Sequence, residues 1–263
     1  TRTGLAPELC RHAPEPYVEI HPDDAEAAGI AEGALTRVRS RHGEAVAVAR
    51  ISDRQRPGSI FMPMHWTAVY APSGRSNTLV APRVDPRSGQ PEFKHTPARV
   101  RPYRETWRGF FIAREAHPLP RELDLIWRRI PQLGGQLHEF AGRGDAGERE
   151  ALRRLLLRGA PGDALRFEDP SSQSLREAFI AGERLDRVLF TTVSGVLPPR
   201  EWLAELLHPD LFDYDLRAEM RDAYRVLYDY ELSEIFFRDL DLPAPHSYLK
   251  CAGRSAAETI ANV

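Results

Sequence analysis

Two alternating stretches joined by a short turn constrain the fold of this 263-residue chain more than any other feature. Residues 34–40 (ALTRVRS) and 44–51 (EAVAVARI) alternate apolar and polar side chains, with His42-Gly43 between them. A two-residue period with Gly at the connection predicts a β-hairpin. The side chains that we expect on its inner face are Leu35, Arg37 or Val38, Val46 and Val48.

Other short strands flank this hairpin. Residues 17–20, 59–62 and 98–101 carry strand-like patterns, and a short helix begins at Pro22 and ends at Gly29. Several short strands without a β-α-β rhythm favour a closed barrel over a doubly wound sheet.

Residues 67–97 form a long connection with almost no hydrophobic periodicity. Loops of this length in compact domains are usually functional or disordered. Disorder is disfavoured because Tyr70, Leu79 and Phe93 are costly to leave in water. Residues 61–100 as a whole are therefore predicted to form a functional surface, with a binding role.

The rest of the chain mixes helix-like and strand-like patterns and then becomes acidic, which predicts a small α+β domain followed by an acidic helical tail. The expected elements are strands 107–113 and 164–168, helices 123–130, 148–158 and 198–207, and a hairpin of residues 175–180 and 185–192. Between residues 210 and 241 there are 10 acidic residues and 4 arginines. The predicted domains are 1–104, 105–209 and 210–263.

Charge and cysteine content limit the functional classes. The net charge of -2 excludes a generally basic nucleic-acid-binding protein. Residues 1–104 nevertheless carry 15 Lys and Arg against 11 Asp and Glu, which suits an anionic ligand. Two distant cysteines, Cys10 and Cys251, indicate a reducing compartment such as the cytoplasm. The longest apolar runs are too short for a membrane span, and an opening at Thr1 without Met suggests a piece of a longer protein.

Candidate site residues lie in the long connection and at the start of the chain. His65-Trp66 could be a metal ligand shielded by the neighbouring indole ring, a catalytic pair, or a platform for a flat heterocycle. The surrounding residues match no metal-binding spacing and contain no nucleophile motif, so we predict no metal ligand and no catalytic residue.

A second set suits an anionic heterocycle. Asn77 can bind a ring edge, Phe93 can stack on a base, and Lys94 can meet a phosphate. The alternative is that Asn77 caps a turn and Phe93 fills the core. Thr1, Arg2 and Thr3 offer hydroxyls and a guanidinium for phosphate or a purine edge, or else form a frayed terminus.

Several of these motifs together resemble a known family. TRTG at residue 1, VEIHPDDAEAAGIAEGALTRVRSRHGEAV, FMPMHW and SNTLV, followed by SGQPEFKHTPARV, are similar to the C-terminal molybdopterin-dinucleotide-binding domain of bacterial molybdenum oxidoreductases. The assimilatory nitrate reductase catalytic subunit is the most similar branch. The resemblance covers residues 1–103. LREAFIAGERLDRVLFTT and PPREWLAELL resemble the small domain that follows this barrel in assimilatory nitrate reductases.

This resemblance implies a double-psi β-barrel that binds part of a bis-molybdopterin guanine dinucleotide cofactor. The residues at matching positions are Thr1, Arg2, Thr3, His65, Trp66, Asn77, Phe93 and Lys94. Val80 stands where the family usually has Thr, so the hydroxyl contact of that position is not carried over.

The resemblance also implies partners outside the chain. They are the remaining domains of the catalytic subunit, with an iron-sulfur cluster upstream, and an electron-donor protein or reductase subunit. On its own the chain is expected to be inactive. Two alternatives stay open: the same domain of a formate dehydrogenase or periplasmic nitrate reductase, and a non-catalytic double-psi barrel for protein interaction.

Overall fold

The computed structural model describes residues 13–115, 117, 119, 123–132, 134–182, 184–195, 197 and 207. Within them the chain is mainly β, with two α-helices and two sheets. The predicted helix 198–207, apart from Leu207, and the predicted tail 210–263 lie outside the described residues.

The first sheet has five strands in the order β4-β1-β3-β2-β5. The strands are β1 (Tyr17–Ile20), β2 (Leu35–Ser40), β3 (Glu44–Ile51), β4 (Ile60–Phe61) and β5 (Ala98–Pro102). β1 runs parallel to β3, and the other pairs are antiparallel. The sequence predictions for these strands and for the β2–β3 hairpin are confirmed. The double-psi barrel stays a prediction, because the described pairing gives a sheet with β4 and β5 as its edges.

Helix α1 (Pro22–Ala28) connects β1 to β2 as predicted. Pro22 occupies the first turn, where its missing N–H has no helical partner to lose. Gly29 ends the helix with φ of 65°, a left-handed conformation that glycine adopts at little cost.

The inner face of the hairpin differs from the prediction. In β2 the buried side chains are Thr36, Val38 and Ser40, and Arg37 lies on the opposite face. In β3 the core contains Ala45, Ala47 and Ala49, while Val46 and Val48 face the second sheet. β3 is covered on both faces, so alternation alone could not say which residues point into the first core.

The second sheet has six antiparallel strands in the order β7-β8-β6-β11-β10-β9. The strands are β6 (Trp107–Ala113), β7 (Ile126–Gln132), β8 (Gly135–Gly142), β9 (Asp163–Asp169), β10 (Ser174–Ala181) and β11 (Arg184–Thr192). Helix α2 (Ala146–Leu157) buries Leu152 and Leu156 against the face that carries Phe111 and Leu189.

The predicted helix 123–130 is wrong. These residues lead into β7, which pairs with β8, a strand that the sequence prediction missed. Gly134, with φ of 83°, lies in the tight turn between them. The apolar spacing of this segment fits a helix, but cross-strand pairing decides for a hairpin.

Candidate functional site

A groove of about 1270 Å³ opens beside the first sheet. Its walls come from α1, from residues 58–65 around β4, from Leu79-Val80, and from residues 93–98 at the start of β5. Segments far apart in sequence therefore meet at one concavity, of a size that suits a large ligand.

Three of the predicted site residues line this groove together: His65, Phe93 and Lys94. All three are exposed, and the Phe93 side chain is 41% accessible although an aromatic ring is costly to leave in water. Phe93 therefore does not fill the hydrophobic core. The groove presents a ring face, a cation and an imidazole, a set that can stack on a base and bind a phosphate.

His95 and two methionines were not among the predicted site residues, although they share this groove. His95 has φ of 60°, a conformation that a residue with a Cβ seldom adopts. Backbone strain of this kind concentrates at ligand-binding segments. Met62 and Met64 supply flexible apolar walls. The FMPMHW motif marked the methionine segment, but no sequence signal marks the strain at His95.

Trp66 lies outside the lining of the groove. Its ring packs edge-on against Tyr17 with 6.2 Å between centroids, and the Arg50 guanidinium lies 3.8 Å from the Tyr17 centroid. His65 contacts the same Trp66 ring at 6.1 Å between centroids. Trp66 is thus half-buried in an aromatic cluster adjoining the groove, where it supports His65.

Asn77 is also outside the groove lining; it is exposed on a 3-10 turn (Ser76–Thr78). This turn is attached to the β2–β3 hairpin: the Thr78 hydroxyl donates to the Glu44 carbonyl at 2.9 Å, and the Ser40 hydroxyl donates to the Leu79 carbonyl at 2.7 Å. Gly43 permits this approach, because a Cβ there would overlap the Thr78 carbonyl oxygen. Asn77 is therefore held at a defined position by its neighbours.

The outer part of the long connection is exposed but internally bonded. Val84 and Pro91 form an isolated bridge, and the Asp85 carboxylate accepts hydrogen bonds from the Arg87 and Ser88 amides and the Ser88 hydroxyl. The Ser88 amide in particular lowers the pKa of Asp85. Val84 is 61% accessible, so this exposed arm, residues 84–91, leaves apolar surface in contact with water.

Thr1, Arg2 and Thr3 lie outside the described residues, so their predicted role stays a prediction. Among the described residues, no three His, Cys, Asp or Glu side chains cluster in a way that could hold a metal ion. In the same part of the chain, no helix is long and apolar enough to cross a membrane.

Comparison with known proteins shows what the first domain is similar to. Residues 1–97 match the family model of the molydopterin dinucleotide binding domain. A nitrate reductase from Klebsiella oxytoca is 47% identical over 134 residues, 51% of this chain and 15% of that protein. Formate dehydrogenase H from Escherichia coli is 37% identical over 101 residues, and a periplasmic nitrate reductase from Desulfovibrio desulfuricans is 39% identical over 101 residues. Each of these two matches covers 38% of this chain and 13% of the relative.

A solved acetylene hydratase from Pelobacter acetylenicus covers 35% of this chain and 15% of its own, at 20% identity and a TM-score of 0.31, too low to establish a shared fold. The chain spans about 15% of the length of the nitrate reductase that it matches. Residues 1–97 are thus similar to the molydopterin dinucleotide binding domain, and the chain shares 47% identity with part of a nitrate reductase.

Proposed function

We propose that this chain is the C-terminal part of a molybdenum nitrate reductase, and that its first domain clamps the distal pterin and guanine ends of bis-molybdopterin guanine dinucleotide. The observation that carries the proposal is the groove that joins His65, Phe93 and Lys94 within a domain of this family. When bound, the cofactor supplies the two-electron oxygen-transfer chemistry that reduces nitrate to nitrite.

The residues of the groove fit such a ligand. Phe93 offers an exposed ring for guanine, Lys94 offers a cation for a phosphate, and His65 adds a donor or acceptor at the rim. Thr1, Arg2, Thr3, Trp66 and Asn77 are assigned to the same clamp by their positions in the family motifs. These groups bind and orient the dinucleotide, and the chemistry takes place on domains outside this chain.

The longer alignment with the Klebsiella oxytoca nitrate reductase supports the nitrate-reducing alternative. The aligned region of the Klebsiella oxytoca nitrate reductase is 134 residues long, so it must extend past the family domain that ends at residue 97. The alignment with formate dehydrogenase H is 101 residues long, close to the domain itself. The support comes from this one relative, because the periplasmic nitrate reductase is also aligned over 101 residues.

The remaining assignments belong to the same proposal. We assign the enzyme to nitrate assimilation in the cytoplasm, with an iron-sulfur cluster in an upstream domain and electrons from a donor protein or reductase subunit. The low cysteine content supports a reducing compartment.

Variants of the groove test the clamp. In the catalytic subunit that contains this chain, Phe93→Ala and Lys94→Ala should each lower cofactor retention about tenfold or more, because a stacking contact and a charge-assisted phosphate contact are lost. Molybdenum and released GMP per polypeptide after gel filtration measure retention. Arg87→Ala, on the exposed arm of the same loop, is the matched control and should retain the cofactor.

Unchanged retention in both groove variants would favour the non-catalytic interaction module instead. Dye-linked assays with nitrate and with formate separate the two enzyme alternatives. Formate oxidation without nitrate reduction would assign the chain to a formate dehydrogenase. The isolated chain should reduce no nitrate with a dye donor.

A further inference from the structure

A cavity of about 560 Å³ lies between the facing sides of the two sheets. One wall comes from β2 and β3, with Leu35, Val46 and Val48, and the other from β6 and β7, with Phe110 and Ile126. Well-packed protein interiors leave few spaces larger than a water molecule. Pockets that bind small molecules have volumes of about 300–1,000 Å³ and mainly apolar walls. This inter-sheet cavity therefore has the size and the walls of a ligand site.

The inter-sheet cavity is separate from the groove that contains Phe93 and Lys94. Among the described residues, none lines both. The groove is built on the core side of the first sheet, where Leu79 packs, whereas Val46 and Val48 extend from the opposite face. A ligand in the inter-sheet cavity is thus independent of the dinucleotide clamp proposed above.

The polar part of the inter-sheet cavity carries more carboxylates than guanidinium groups. Glu139 of β8 is 8% accessible, and its carboxylate pairs with Arg128 of β7. The same guanidinium pairs with Glu15, so one positive charge faces two carboxylates. The other charged residues of the described lining are Glu32, Glu105 and Arg108. An excess of negative charge that is shielded from water attracts a cation more strongly than the same charges at an exposed surface.

We propose that the inter-sheet cavity binds a small organic cation of the arylalkylamine class. Its ammonium group lies at the Glu139 carboxylate, and its aromatic body packs between Val48 and Phe110. An ammonium group donates hydrogen bonds to carboxylate oxygens, and the rest of such a molecule requires apolar contacts, which these walls provide.

A bare metal ion fits this lining less well than an amine. Divalent cations such as Ca²⁺ take about six or more oxygen ligands. In the part of the chain that the structure describes, no three His, Cys, Asp or Glu side chains are grouped to hold a metal. The carboxylates of the cavity therefore suit a cation that brings its own apolar surface.

Three probes with the same ring separate charge from hydrophobicity. Isothermal titration calorimetry of the full 263-residue chain near pH 7 compares phenethylamine, phenethyl alcohol and phenylacetate. Phenethylamine should bind with a dissociation constant of about 1 mM or lower. Its affinity should be about tenfold or more above that of the neutral and the anionic probe, because only the amine complements the carboxylates. Equal affinities of the three probes, or no saturable binding of phenethylamine, would overturn the proposal.

Variants of the lining locate the bound amine. Glu139→Gln keeps the side-chain volume and removes the charge, so it should weaken phenethylamine about tenfold and leave phenethyl alcohol unchanged. Glu168→Gln removes an ion-paired carboxylate of the same sheet outside the cavity, and this matched control should change neither affinity. Val48→Phe fills the apolar part and should weaken every probe.

Thermal unfolding of each variant verifies that the two sheets remain folded. If Glu139→Gln does not fold, Val48→Phe and the comparison of the three probes still decide. Phenethylamine binding that neither Val48→Phe nor Glu139→Gln reduces would place the amine elsewhere on the protein and overturn the proposal.

Discussion

His138 is a fully buried titratable side chain in the middle of the second sheet. Burial, and then the charge of Arg129, lower its pKa from 6.5 to about 3. The Arg129 Nε donates a hydrogen bond to His138 Nε2 at 3.0 Å, which requires a neutral acceptor nitrogen. The folded protein therefore holds a neutral histidine at a pH where the unfolded chain would bind a proton.

The folded pKa of His138 is lower than the unfolded pKa, so the unfolded state binds more protons between about pH 3 and 6.5. Its contribution to stability is present above pH 6.5 and is lost as the pH falls through this window, at up to about 1.4 kcal/mol per pH unit. We expect His138→Gln, which keeps an acceptor but does not titrate, to reduce this slope in urea unfolding at several pH values. A slope equal to that of the unsubstituted protein would contradict the assignment.

At the scale of elements, the connection between α2 and β9 depends on two glycines with different surroundings. Gly159 and Gly162 have φ of 67° and 81°, which a residue with a Cβ seldom adopts. A Cβ at Gly159 would meet open space, whereas a Cβ at Gly162 would overlap the Ile180 carbonyl oxygen in β10. Glycine is therefore required at position 162 for two reasons: the left-handed backbone conformation and the close approach of β10.

Alanine at these two positions separates the two effects. Gly159→Ala should cost about 1 kcal/mol of unfolding free energy, for backbone strain alone. Gly162→Ala should cost roughly 3 kcal/mol, because β9 and β10 must also shift. Urea denaturation of both variants gives the comparison. Equal losses would show that Ile180 moves away freely.

At the scale of the whole molecule, the two sheets are joined by a small polar network. Arg128 of β7 forms ion pairs with Glu139 of β8 and with Glu15, which precedes β1. The Arg129 amide also donates to the Tyr70 carbonyl at 2.7 Å. A cavity of about 560 Å³ lies between the sheets and is lined by residues of both. Because the apolar packing is interrupted there, polar contacts supply part of the interaction that holds the two sheets together.

Removal of Arg128 should therefore weaken the junction. The Arg128→Ala variant leaves two partly buried carboxylates without this partner, at a cost of roughly 1–3 kcal/mol, between the values for exposed and buried pairs. We expect the two sheets to unfold at separate urea midpoints, as measured by tryptophan fluorescence and circular dichroism. Arg154→Ala removes an exposed pair with Glu150 and should cost under about 0.5 kcal/mol. A single transition with a similarly small loss for Arg128→Ala would indicate that apolar contacts alone hold the junction.

The sequence by itself determined the elements whose causes are local. The β2–β3 and β10–β11 hairpins, α1 with Pro22 and Gly29, and α2 were all predicted, because their turns and periodicity depend on residues a few positions apart. The similarity of residues 1–97 to the molydopterin dinucleotide binding domain was also recognisable from sequence, since the FMPMHW and PEFKHTPARV motifs are contiguous.

Only the tertiary structure decided the features that depend on distant partners. β7 is a strand because β8 pairs with it, and Val46 and Val48 face the second sheet because that sheet covers β3. His65 and Phe93 share one groove, whereas Trp66 and Asn77 lie beside it, because folding brings together segments separated by about thirty residues of loop. Such contacts depend on packing across the whole chain, and no local period or turn motif encodes them.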